Sequence, residues 1–443
     1  MRFLASALFC LTAFAAWAQP KQNSPYSRFG IGDPLTQSFV HQTAMGSQFA
    51  AFHDPYHLNL QNPASYAFLR STAFETGLFA KYSHLKSSTA TENNWTGNLS
   101  YLALGFTLKS PINEVLDKDK TPWKYGMGFS LTPYSIVGYN IESSETLPEL
   151  GEVATNFKGN GGTYRLQWSN AVRYKNTAFG ATLGWMFGKS TYENTTSFTD
   201  SLLPTFEDNI RKDIGIHGFV WNVGVQHDIP LAYANNNKDV MTRWITLGLT
   251  AESNHKLRTV SDAYFIRSEG RLSSGAYSNA DTLLQETDVR RNLTIPAGIA
   301  FGIQYVNVDK LKLGAQFGFE SWSNYENEAR PETFRNTVSV SAGLEYIPDY
   351  ASYNKYFKRV RYRFGGYYRQ DPRVIDGEGI NDVGVSFGMG FPILLPRQQT
   401  SFVNSAFEFG KIGGGSPIEE TYFRISLGFT LNDNSWFYKR RFE

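Results

Sequence analysis

Trp123-Lys124-Tyr125-Gly126-Met127-Gly128-Phe129-Ser130-Leu131-Thr132 decides the fold, because every second residue is large and apolar and every intervening one is smaller or polar. Successive side chains of an extended chain point to opposite faces of a sheet, so this stretch is greasy on one side and roomy on the other. The stretches 311–320, 338–346 and 423–431 repeat the rule. A soluble sandwich also alternates, but three further features separate the two. The segments run to about 10 residues, which suits a tilted membrane crossing. Aromatic residues gather at their ends (Trp123, Tyr305, Trp322, Tyr346, Tyr368), where an interfacial girdle lies. The polar face is rich in Gly and Ser, which leaves space inside a closed ring. The pattern predicts an all-β protein, a transmembrane antiparallel β-barrel.

Working outward along the chain, fourteen such segments can be marked: 71–85, 98–108, 123–132, 163–175, 176–187, 216–228, 243–252, 293–305, 311–320, 335–347, 359–368, 380–391, 400–410 and 421–431. An even count is expected of a single-chain bacterial barrel with both termini in the periplasm. Long connections follow the third, fifth and seventh segments, while Tyr174-Lys175-Asn176 and 306–310 are tight turns after the fourth and eighth. Long odd connections and short even ones match outer-membrane topology.

Composition supports this and narrows it. The chain has 443 residues, 15% aromatic and 19% charged, with Lys+Arg 42 against Asp+Glu 40. That balance offers no basic excess for nucleic acid, and a mean hydropathy of −0.35 excludes a helical membrane bundle. Residues 1–18 read as a signal peptide, with Arg2, an apolar stretch from Phe3 to Ala16, and Ala16-Trp17-Ala18 as the cleavage pattern. The single cysteine, Cys10, falls inside it, so the mature chain has no thiol for disulfides, catalysis or metal binding. The expected organisation is 1–18 signal peptide, 19–70 hatch or plug, 71–431 barrel and 432–443 periplasmic tail, in the bacterial outer membrane.

Residues 19–70 lack the alternation and carry Pro25, Gly30, Gly32, Pro34, Gly46, Pro55 and Pro63, which break regular elements. Ala44 to Phe52 is predicted to form a helical turn or two. The aromatic content of the segment favours a place in the lumen over a loose periplasmic one. Here a resemblance enters. Ala44-Met45-Gly46, Ala50-Ala51, Asp54 and Asn62-Pro63-Ala64 resemble the hatch signature of the FadL/TodX long-chain fatty acid transporter family. The stretches 295–303, 311–325 and 361–368 are similar to that family's later strands. Ser24 to Asp33 and Trp436 to Arg441 look like a Bacteroidota subgroup. The resemblance implies a fourteen-stranded barrel, an N-terminal hatch (Gly46, Asp54, Asn62, Pro63, Ala64), and release of hydrophobic molecules sideways through a kinked strand. Relatives in the subgroup also serve a protein-secretion translocon, so an accessory barrel without transport is the alternative.

The inward face carries Arg165, Arg173, Arg361, Arg363 and Arg424. Their planar forks suit the head group of a fatty acid, with Phe49 and Phe52 beside its chain. The competing reading pairs these arginines with inward Glu75, Glu320, Glu345, Glu408 and hatch carboxylates to hold the plug. His53 and His57 have the spacing of two metal ligands on a helix, but Pro55 breaks a helix there and no third ligand is evident. No metal and no cofactor is expected. No Gly-x-Ser-x-Gly elbow occurs, and Gly188-Lys189-Ser190 lacks the earlier glycine of a phosphate loop, so no enzyme is expected. Connections around 133–162 and 188–215, with Tyr134, Ile136, Val137, Tyr139, Leu202, Leu203 and Phe206, are read as extracellular loops that capture hydrophobic molecules.

Overall fold

The computed structural model describes residues 24–88, 90–109, 121–147, 151–198, 206–234, 237–269, 279–375, 377–395 and 399–433. The signal peptide, Cys10, Leu202, Leu203 and the tail after Asp433 lie outside the described residues. Fourteen antiparallel strands form the ring. They are β1 (Thr72–Ser87), β2 (Thr91–Thr107), β3 (Trp123–Leu147), β4 (Gly151–Tyr174), β5 (Thr177–Phe198), β6 (Glu207–Ala234) and β7 (Asn237–Glu252). The second half is β8 (Gly298–Asn307), β9 (Leu311–Glu320), β10 (Thr337–Tyr346), β11 (Arg361–Ile375), β12 (Glu378–Leu395), β13 (Gln399–Ile412) and β14 (Ile418–Asp433). The last strand pairs with the first from Ile418↔Ser87 to Asp433↔Thr72, so the sheet closes. Closure matters in lipid because an open edge would leave backbone groups without partners.

Outward positions carry the apolar set: Trp123, Tyr125, Phe129, Phe179, Phe219, Phe301, Phe364 and Leu427 are all exposed. Trp123 packs on Tyr174 at 4.7 Å on the rim of short turns, as a girdle requires. Trp322 does not belong to that girdle. It is buried with Ile31, Leu257, Leu293, Tyr325 and Ala329 in an apolar cluster over the other rim, because it sits in a 3-10 turn after β9 whose chain folds inward.

Two expectations about connections are corrected. The supposed loops around 133–162 and 188–215 are mostly strand, for β3 and β4 stay paired from Trp123↔Tyr174 to Leu147↔Gly151. β3 has 25 residues, about 80 Å of extended chain against an apolar band about 25 Å tall. Outside the membrane both faces of a strand are wet, so Asn140, Glu142 and Ser144 show no apolar alternation although the backbone ladder continues. Val137 and Tyr139 are buried rather than displayed. The second correction concerns 293–305. Ile295 ends a hairpin strand (Asp281–Ile295) that pairs with His255–Ser268, and the ring strand restarts at Gly298. Pro296 has no N–H to continue a ladder, and the Ala297 N–H donates to Asn254 Oδ1 at 2.7 Å.

Candidate functional site

Residues 24–69 fill the lumen. Val40–Thr43 forms a single helical turn with Ala44 as its C-cap, so the helical turn falls just before the predicted Ala44–Phe52. Asn62 caps a 3-10 helix over Pro63–Phe68, its side chain accepting from the Ala64 N–H at 3.1 Å and donating to the Ala50 carbonyl at 2.5 Å. Gly46 takes φ +74°, and a Cβ there would stand 2.7 Å from the Gly366 carbonyl oxygen. The hatch residues implied by the resemblance thus shape the turns of the plug.

The barrel wall has a belt of small residues where the plug lies. Gly302 pairs with Gly248, Gly180 with both Gly224 and Ala171, and Gly343 with both Gly314 and Gly365. A Cβ on Gly126 would lie 1.9 Å from the Tyr66 carbonyl oxygen, and one on Gly248 would lie 1.9 Å from that of Ala50. The inward Gly and Ser bias of the sequence is therefore a seat for a backbone, not empty space. Side chains of the wall bind that backbone directly. Gln316 Oε1 accepts from the N–H groups of Phe49 and Ala50 at 2.8 Å each, and Gln226 Nε2 donates to the carbonyls of Ala50 and Phe52 at 3.0 Å.

Asp54 is the charged anchor. It is 2% exposed and meets Lys312 Nζ at 2.7 Å and Arg361 Nη1 at 2.9 Å. Burial alone would raise its carboxyl, but Lys312 and Arg361 outweigh burial and hold it well below the ordinary carboxylate range. Glu345 extends the network to Lys312 at 3.3 Å and to Arg363 Nε at 2.7 Å, and Arg363 also donates to Asn404. Lys312 was not singled out in the sequence, although its place between Leu311 and Leu313 turns it inward.

The sequence-nominated arginines divide by height. Arg361 holds the plug through Asp54, Arg363 braces Glu345 and Asn404 on the wall, and Arg173 covers the Phe68 ring at 4.6 Å. Arg165 and Arg424 instead border a cavity of about 370 Å³ between the plug and the roof over the outer rim. There Arg165 lies 3.9 Å over the Tyr134 ring and 3.8 Å from Glu252, while Arg424 lies 3.4 Å from Glu408. Phe49 faces this cavity. Phe52 does not, being 2% exposed and packed on His41 at 5.1 Å. His53 and His57 part company: His53 bonds Asp228 at 3.0 Å, and His57 turns to the opposite wall.

The wall beside the cavity has a seam. β2 and β3 pair only from Thr107↔Gly126 to Leu102↔Leu131. Above that, among the described residues, β2 pairs with β1 and β3 with β4, and the two no longer pair with each other. Tyr134 is an extra residue in the β3–β4 register just after Pro133, and such a bulge bends its strand. The edge of β3 left by this kink is covered from inside. Asp33 and Pro34 pair with Ile136 and Ser135, Leu35 N–H donates to the Tyr134 carbonyl at 2.9 Å, and Ser24 N–H donates to that of Gly138 at 2.8 Å. The first described residue therefore lies toward the outer rim, opposite the rim where β1 begins and β14 ends.

With this geometry established, its likeness to known proteins can be placed. The chain is similar in fold to a Pseudomonas aeruginosa FadL homologue, with a TM-score of 0.55 and 13% identity over 89% of this chain and 98% of that one. It is similar to the Ralstonia pickettii toluene transporter TbuX (TM-score 0.53, 14% identity, 90% of this chain and 99% of that one). A third is CymD, a monoaromatic hydrocarbon channel (TM-score 0.53, 12% identity, 91% of this chain and 99% of that one). At such identities the likeness concerns the fold. No curated protein sequence matches the chain. The sequence profile described as BamG matches residues 1–443. A FadL-type outer-membrane barrel with its plug seated on a belt of glycines, this chain belongs to the BamG family.

Proposed function

We propose that this protein is an accessory barrel of the Bam outer-membrane assembly machinery, built on a transporter fold but working as a partner. The full-length match to the BamG family carries this reading. The seated plug supports it, since Asp54 and the backbone bonds of residues 49–52 bind the plug to several strands, and Glu345 braces the Lys312 that holds Asp54. The extended wall of β3 to β6 adds tall, paired strand surface on one side of the ring, where a larger assembly has something to grip. On this reading an assembly machine takes the role that the sequence resemblance gave to a secretion translocon. The test is affinity purification of the tagged chain from native outer membranes in mild detergent. Recovery of the central Bam barrel at a fixed ratio is expected, along with lower levels of other outer-membrane proteins on depletion. Recovery of the chain alone, from membranes whose Bam complex stays intact, sinks the proposal.

The seam and the cavity favour a second reading, passage of small hydrophobic molecules such as long-chain fatty acids. In it Arg165 and Arg424 hold an acidic head group, Phe49 meets the apolar chain, and the β2–β3 seam is the sideways exit. Mass spectrometry of small molecules released from the gently purified chain tests this. A stoichiometric lipid lost on Arg165→Ala supports it, and an empty lumen removes it.

A further inference from the structure

Three buried side chains stand outside the ion network of the plug. His41 comes from the helical turn, His57 from the plug loop before Asn62, and Glu75 from the inward face of β1, and they are 1%, 2% and 1% exposed. Their ligand atoms lie within 4.8 Å of one another. His41 Nδ1 is 3.8 Å from Glu75 Oε2, and His57 Nδ1 is 3.7 Å from Glu75 Oε1. These distances are too long for hydrogen bonds. Both ring nitrogens of His41 and Nε2 of His57 have no hydrogen-bond partner among the described residues. Glu75 accepts one short bond, from the Leu58 N–H at 2.6 Å, and Thr430 Oγ1 lies 3.2 Å from His57 Nδ1.

Folded proteins rarely leave a buried carboxylate without a cation beside buried imidazoles without partners. Lys312, Arg361 and Arg363 are taken by Asp54 and Glu345. Aromatic packing explains part of the arrangement: Phe52 and Phe402 flank the imidazoles at 5.1 and 4.7 Å, and the two imidazoles stack at 4.4 Å. It gives Glu75 nothing. Two nitrogens and a carboxylate oxygen are a donor set suited to Zn²⁺ and its neighbours, not to Mg²⁺ or Ca²⁺, which prefer oxygen alone. Tetrahedral ligands at about 2.0–2.1 Å from an ion stand about 3.3 Å apart, so the two histidine–glutamate spacings must close by about half an ångström, and the third spacing, which is within 4.8 Å, by at most about 1.5 Å.

We propose that His41, His57 and Glu75 bind one divalent transition ion of the Zn²⁺ class, clasping the plug to the first strand of the barrel. The site does not depend on whether the protein assembles others or transports. Two of its ligands lie 16 residues apart and the third lies beyond them on β1, so no spacing motif announces it.

The experiment uses the full chain in detergent, carrying no polyhistidine tag and stripped with a chelator. Zn²⁺ is titrated by calorimetry and Co²⁺ by visible absorption. One equivalent is expected to bind, Co²⁺ should give ligand-field bands of a four-coordinate nitrogen–oxygen site, and the melting temperature should rise with the metal. His41→Asn and Glu75→Gln should each weaken binding at least tenfold, whereas His53→Asn should leave it unchanged. Absence of saturable one-equivalent binding in the unsubstituted chain overturns the proposal, as does binding that both ligand substitutions leave intact. Should His41→Asn fail to fold, His57→Gln and Glu75→Gln make the same comparison.

Discussion

The two halves of the lumen teach different lessons. In the half nearer the short turns, plug and wall meet backbone to backbone over glycines, with a buried carboxylate fixed by two cations. In the half nearer the outer rim, the same N-terminal chain lies against a kinked strand and borders a cavity. Both halves use short polar and small inward residues from the same strands. What differs is matching: below, Gln226, Gln316, Lys312 and Arg361 reach partners on the plug, and above, Arg165 and Arg424 border the cavity and the β2 edge is left unpaired with β3. A barrel can thus be closed as a ring and still have a seam in its wall.

The largest expected effect comes from Asp54→Ala, which leaves Lys312 and Arg361 buried without their shared partner. Breaking a buried pair from one side costs about 3–5 kcal/mol. Amide hydrogen exchange over residues 50–58 should therefore quicken by two orders of magnitude or more, while residues 24–36 keep their protection. An equal response in both places would mean that the plug moves as one unit and that the contrast is false. The same carboxylate sets a pH limit. Its folded value is depressed, so its contribution is fully present above its unfolded value of about 3.9 and is lost as pH falls through the lower folded value. The protection of the lower plug, corrected for the intrinsic pH dependence of amide exchange, should stay flat from about pH 8 to pH 5 and fall only below about pH 4. A fall in protection near neutral pH that disappears in Asp54→Ala would contradict that assignment.

How much of this could be read from the sequence follows the same division. The ring strands were legible because hydrocarbon on one side and plug on the other impose a period of two, as in 123–132. The upper parts of β3 to β6 were not, since water on both faces removes the selection for apolar residues while hydrogen bonds still hold the sheet. The plug was legible as a segment through its prolines and aromatics. Its anchors were legible only in part: inward Arg361 stood out, but Lys312, Gln226 and Gln316 are ordinary strand residues until the plug meets them. The meeting of His41 with His57 and Glu75 is set by tertiary folding, which local periodicity cannot express.

The next effect tests the glycine seat. Gly248→Val drives a side chain into the Ala50 carbonyl, 1.9 Å from where its Cβ would stand, and overpacking of this kind costs about 1–3 kcal/mol. Ion conductance across a planar bilayer should rise as the plug lifts, and the barrel should keep its heat resistance. Gly215→Ala, on the upper part of β6 where the nearest atom is 3.6 Å away, should leave conductance unchanged. If both substitutions behave alike, the belt is not a seat and its glycines serve only strand pairing.

The smallest effect concerns the covered edge of β3. Ser135 Oγ donates to the Ile31 carbonyl at 2.7 Å and lies 2.7 Å from Thr163 Oγ1. Ser135→Ala should cost about 0.5–1.5 kcal/mol, the usual net value of such a bond, and quicken exchange at residues 31–36 by about tenfold or less. Residues 50–58 should not respond, because their anchors lie on other strands. The size of this effect matters less than its direction of travel. If loosening residues 31–36 also admits an apolar probe to the cavity, the N-terminal chain is the seal of the seam. If the cavity stays closed, the bulge at Tyr134 and the packing around it close the wall without help, and the seam is only a gap in strand pairing.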